Sequence, residues 1–252
     1  MAVTKIMQPS ADARRASHAG RDPVSGLLGG GSGSLEVRWI LRGPLPPTLV
    51  DRFGPFRDPI EVRSDRYLVD PWTPEFGFKV RGGVQLDLKA YRGSLGRLRV
   101  PGGSGQLEVW EKWTFPLGET GPETDPEGWV TLEKTRRRRA FELTAAGLME
   151  RSVLEEIEPG CTFELTEVVS GDEVWWTLGF EASGATETLE VSLRACADLL
   201  LERLLPDRIT LPLEASMSYT RWLPILRREI SAASPASRVS PSTMAPPSRR
   251  SN

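Results

Sequence analysis

The segment that most constrains the fold runs from Glu75 to Arg92, EFGFKVRGGVQLDLKAYR. Phe76, Phe78 and Val80 share one face of the first run, with Lys79 and Arg81 on the other. In the second run Leu86, Leu88 and Ala90 share a face, and Gln85, Asp87 and Lys89 share the opposite one. Alternation with a period of two marks a β-hairpin with one apolar face. A three-residue loop, Gly82-Gly83-Val84, matches the two faces. It sets Lys79 opposite Asp87 and Val80 opposite Leu86. The polar face then carries Lys79, Arg81, Asp87 and Lys89.

Other segments behave alike. Leu35–Arg42 alternates Val37, Trp39 and Leu41 with Glu36, Arg38, Ile40 and Arg42. Strands are also predicted over 60–69, 106–115 and 129–143, the second reached through a flexible PGGSG at 101–105. Residues 161–182 form a second hairpin, in which Phe163 and Leu165 pack with Leu178 and Phe180 while Glu164, Thr166, Trp175, Thr177 and Glu181 face the other way. A Pro-rich turn at 46–47 leads into a short helix, and 116–128 is an exposed loop. Amphipathic helices are predicted over roughly 187–205 and 217–230, the second kinked at Pro224. The result is about seven or eight strands, mostly antiparallel, with helices late.

The ends differ in composition. Residues 1–33 and 231–252 are rich in Ser, Ala, Gly, Pro and Arg and are predicted to be disordered, leaving 34–230 as one domain. A net charge of −2 argues against general affinity for nucleic acid or membranes. No apolar run is long enough to span a bilayer, and the basic N-terminus lacks the apolar segment of a secretory signal, so the cytoplasm is the expected compartment. Cys161 and Cys196 suggest neither a disulfide framework nor a zinc site. The single histidine, His18, lies in the N-terminal end. Histidine-based triads and metal sites are thereby set aside, leaving carboxylates, Lys, Arg, Tyr or an oxygen-bound metal for any chemistry.

The polar faces are rich in Arg, Lys and Glu and poor in Thr, Ser and Gln. Glu36 and Arg38, Arg63 and Asp65, Lys79 and Arg81, Lys89, Lys134 and Arg136, then Glu164 and Glu181 follow one another along the chain. If the sheet closes, these side chains line an interior, and the apolar faces pack outward against helices and loops. In the run Arg136–Arg139 only alternate members can point the same way, so half of it is plain surface.

The order of LEVRWIL, SDRYLVDP, FKVR…LDLKAYRG, EVWEKWTF, EKTRRRR and WWTLGFEASG resembles the CYTH-like, or triphosphate tunnel, superfamily over roughly residues 35–225. The resemblance implies a mainly antiparallel β fold with a few flanking helices. Its centre is a closed or nearly closed eight-stranded barrel whose tunnel binds a triphosphate or other phosphorylated ligand with Mg²⁺ or Mn²⁺. Lys79, Arg81, Lys89, Lys134 and Arg136, joined by Arg38 and Arg63, would hold the phosphates. Glu36, Glu108, Glu164 and Glu181 would hold the metal. The first strand departs from the family's Glu-x-Glu-x-Lys pattern, having Glu36, Arg38 and Ile40 at those places. An arginine cannot coordinate a cation. The expected function is therefore capture of a phosphorylated small molecule or polyphosphate. The alternatives are metal-dependent triphosphate hydrolysis, for which no catalytic residue is assigned, and a barrel of satisfied ion pairs that binds nothing.

Overall fold

A computed structural model describes residues 32–69, 73–117, 128–155, 157–206 and 208–233. The strands are β1 (Ser32–Arg42), β2 (Glu61–Leu68), β3 (Phe76–Arg81), β4 (Gln85–Val100), β5 (Gly103–Pro116), β6 (Trp129–Thr144), β7 (Gly147–Arg151), β8 (Gly160–Ser170) and β9 (Glu173–Ser183). The helices are α1 (Pro47–Phe53), α2 (Thr186–Leu204) and α3 (Tyr219–Ala233). Eight strands pair in the order β2-β3-β4-β5-β1-β9-β8-β6, and β2 pairs again with β6. The sheet is thus a closed antiparallel barrel, with β7 as an extra strand beside β6. Closure leaves no free edge among the eight and gives every inward side chain the same enclosed space.

Both hairpins have the expected register. Lys79 pairs with Asp87 and Val80 with Leu86, and Gly82 and Gly83 turn the chain with φ of 54° and 77°. Across the second hairpin Phe163 pairs with Phe180, Leu165 with Leu178 and Thr166 with Thr177. The PGGSG segment is not a flexible link. β4 continues to Val100, Pro101-Gly102 makes a tight turn, and β5 begins at Gly103. Gly103 meets a closely passing segment: a Cβ there would lie 1.9 Å from the Leu211 carbonyl oxygen. The glycines that suggest flexibility in the sequence therefore allow close backbone approach.

The main core lies outside the barrel wall. α2 sets Leu189, Leu193, Cys196 and Leu200 against Leu35, Val37, Trp39, Phe163, Leu165, Leu178 and Phe180. Burying each large apolar side chain contributes roughly 1.5–3 kcal/mol. α3 does not flank the barrel as expected. Its Trp222, Leu223 and Leu226 pack with Ile40, Tyr67, Val130, Leu132, Val168 and Trp175 and close one mouth. The helix continues through Pro224 to Ala233. The outer face of β2, β3 and β5 is left partly open, with Leu68, Phe76, Phe78 and Phe115 exposed, so the expected outward cover is incomplete.

Of the ends predicted to be disordered, 1–31 and 234–252 lie outside the described residues. Ser32 and Gly33 begin β1, and residues 231–233 end α3. Residues 118–127 of the predicted loop are likewise outside. No described helix is long and apolar enough to cross a membrane.

Candidate functional site

Strand alternation puts all seven predicted phosphate cations and all four predicted metal carboxylates on the wall of one cavity. Its empty volume is about 870 Å³, part of it open to solvent. β1 contributes Glu36 and Arg38, β2 Arg63, β3 Lys79 and Arg81, and β4 Lys89. β5 adds Glu108, β6 Lys134 and Arg136, β8 Glu164 and β9 Glu181. Asp87, Lys112, Tyr67, Trp110 and the start of α3, Ser218 to Thr220, complete the lining. Eight cations face five carboxylates, and Asp65, fully buried behind them, makes a sixth acid. Glu61, which pairs with Arg63 and Arg136, makes a seventh, so the formal excess is a single positive charge.

That charge is concentrated on one side. Asp87 lies 2.7 Å from Arg81, 3.2 Å from Lys79 and 3.8 Å from Lys112. It also accepts hydrogen bonds from Gln85 and Thr114. Asp65 lies 3.2 Å from Arg63 and from Lys134, and 4.0 Å from Lys79. Five cations thus gather around two aspartates, with Glu61 as a further partner of Arg63 at 2.7 Å. Burial, then the neighbouring Arg81, pushes the Lys79 ammonium down to about 7 despite both aspartates. Burial also lowers Lys112 and holds Lys134 well below an ordinary lysine, with Lys79 adding to the effect on Lys134. For Asp65 and Asp87 burial opposes ionisation, but the adjacent lysines and arginines win and hold both carboxyls below the usual range. Lys134 donates to the Tyr67 hydroxyl at 2.5 Å and sits 4.0 Å above the Tyr219 ring. Aromatic faces stabilise a cation that has few anions nearby.

Between the two sides Glu164 is clamped. It accepts from Arg38 at 3.0 Å, from Arg136 and from Thr166. Burial raises its pKa, but Arg136 and Arg38 outweigh this and keep it ionised well below the usual range. The arginine that replaces an acidic residue of the family pattern therefore has a partner. Gly179 makes space for it, since a Cβ there would stand 3.1 Å from the Arg38 guanidinium carbon.

The third side is acidic. Glu36 pairs across the sheet with Glu108 on β5 and with Glu181 on β9, so three carboxylates form one row. Lys89 bonds Glu36 and lies 3.7 Å from Glu181, and Arg221 of α3 lies 3.2 Å from Glu108. Burial pushes the Glu108 carboxyl up, and Arg221 only partly offsets this. The residues do not fit a protein-held Mg²⁺ or Mn²⁺ as they stand. Glu164 faces two guanidiniums, the row already has its ammonium, and no described group of three acid, His or Cys side chains is arranged to hold a metal ion.

The barrel has the tunnel layout that the CYTH-like resemblance implies. No family model and no curated protein matches the sequence. Similar solved structures include a conserved hypothetical protein from Pyrococcus furiosus (16% identity, 70% of this chain and 98% of that one, TM-score 0.37). A putative adenylate cyclase from Bacillus halodurans is 9% identical over 69% of this chain and 94% of that one, TM-score 0.37. A putative adenylyl cyclase from Hippeastrum, described as having a dominant triphosphatase activity, is 13% identical over 62% and 83%, TM-score 0.30.

Alternation placed Asp65 and Asp87 on the charged faces without giving them a role, and Lys112 was not assigned. Tyr219 and Arg221 were missed. Asp87 had a signal: it is the one acid on the polar face of its run, opposite Lys79 and next to Lys89 on that face.

Proposed function

We propose that the tunnel binds a phosphorylated polyanion of triphosphate or polyphosphate type. Lys79, Arg81 and Lys112 around Asp87, with Arg63 and Lys134 around Asp65, would contact the phosphates. The observation that carries this reading is the gathering of Lys79, Arg81, Lys112 and Lys134, all buried or half-buried, around Asp65 and Asp87, with Arg63 drawing on Glu61 as well. A cation kept from water without enough counter-charge loses its proton or draws in an anion. A polyphosphate brings several charges and many acceptor oxygens to bond guanidinium and ammonium groups at once. The acidic row opposite would orient the ligand by repulsion.

Metal-dependent hydrolysis of a triphosphate is the second reading, favoured by the Glu36–Glu108–Glu181 row. No step is assigned to it, because Lys89 occupies that row.

The test is the thermal midpoint of the full chain titrated with tripolyphosphate, with and without Mg²⁺ or Mn²⁺, and with sulfate as a control. A ligand bound only by the native state adds about 2.7 kcal/mol at a hundredfold excess over Kd. A saturable rise with tripolyphosphate that sulfate does not reproduce is expected. A flat response in all titrations would mean a barrel of satisfied ion pairs.

A further inference from the structure

We propose that Lys89 is a resident cation of the Glu36–Glu108–Glu181 row, standing where a divalent ion would sit, so that the native chain binds no Mg²⁺ or Mn²⁺ there. The inference concerns the wall opposite the proposed phosphate site and does not depend on that reading.

The three carboxylates are cross-strand neighbours on β5, β1 and β9, and all face the tunnel. Like charges set directly opposite repel, so the row needs positive charge. Lys89 reaches it from β4 and meets Glu36 at an oxygen that also accepts from the Ser34 hydroxyl at 2.9 Å. The same ammonium lies 3.7 Å from Glu181. Glu108 is 4% exposed, and its Oε1 accepts no hydrogen bond although Arg221 is 3.2 Å away. The row thus retains a buried Glu108 oxygen that faces Arg221 without a hydrogen bond, while the Lys89 ammonium serves the other two carboxylates. A hard divalent ion takes such oxygen ligands, but an ammonium in their midst repels it.

Removing the lysine charge should therefore create a metal site. The probe is Mn²⁺ alone, followed by loss of the free ion's paramagnetic signal. The wild type should not respond below about 1 mM, the weak end of protein oxygen sites. Lys89→Met, which keeps the stem and drops the charge, should bind one Mn²⁺ at least about tenfold more tightly than wild type, and Glu36→Gln added to it should abolish the response. Lys89→Gln can still donate to Glu36 and serves as the second variant if Lys89→Met does not fold. A wild-type response lost on Glu36→Gln would overturn the proposal, as would a folded Lys89→Gln chain that stays blind to Mn²⁺. No polyanion is present, so failure here and failure of tripolyphosphate to bind are separate results.

Discussion

Lys79 and Lys89 project into the same tunnel from the adjacent strands β3 and β4, and their surroundings drive them in opposite directions. Burial disfavours charge on both. At Lys79 the neighbouring Arg81 and Arg63 add to that penalty, and the ammonium falls to about 7. At Lys89 the carboxylates of Glu181 and Glu36 overcome it, and its pKa rises. The difference shows that a closed barrel does not average its charges. One wall has fewer anions than cations and the other the reverse, with the Arg38–Glu164–Arg136 clamp between them. Under the proposed function, a polyanion would bind the first of these walls.

The largest expected effect breaks the clamp. Glu164→Gln leaves two guanidiniums without their shared carboxylate and should cost about 3–5 kcal/mol of unfolding free energy in urea titrations. A loss under about 1 kcal/mol would show that water or another acid replaces it. Next is the cationic wall. Each charge-assisted contact is worth about 1.5–3 kcal/mol, so Lys79→Ala with Arg81→Ala should weaken tripolyphosphate binding about a hundredfold or more by calorimetry. Equal affinity in the double variant would move the site elsewhere.

The pH dependence sharpens the contrast. Lys79 binds its proton less tightly folded than unfolded, so between about pH 7 and 10.5 the unfolded chain holds more protons. Over that window this group makes stability rise with pH, while affinity for a polyanion should fall as the ammonium is lost. Denaturant midpoints and binding constants at stepped pH check both signs, and affinity that strengthens toward alkaline pH would contradict the assignment. The smallest effect concerns Arg221, whose side chain is 43% exposed. Arg221→Ala should change stability by less than about 1 kcal/mol, measured by the same denaturation.

Much of this was legible in the chain. A two-residue period with a loop of fixed length leaves one register for Lys79 and Asp87, and closure then turns that polar face inward. This is why ten residues chosen from alternation share one cavity with Glu108, which only the resemblance supplied. What parity cannot give is the partner of each charge, since that depends on how strands separated in sequence are staggered around the barrel. Lys89 was grouped with Lys79 for this reason, although the stagger brings it to Glu36 and Glu181. Helix periodicity showed that α3 has a buried face but not that it closes a mouth, so Tyr219 above the tunnel cations stayed hidden. β7 is five residues long, too short for alternation to stand out.

The most direct test of a wall short of negative charge is calorimetric titration of the wild type and Lys79→Arg with tripolyphosphate at about pH 8, in two buffers of different ionisation heat. Lys79 is mostly neutral there, and a bound polyanion must restore its proton, whereas arginine keeps its charge throughout. The account predicts saturable binding by both chains, with proton uptake by the wild type exceeding that of Lys79→Arg by a large fraction of one proton. Equal proton exchange by the two chains, or no binding by the wild type, would contradict it.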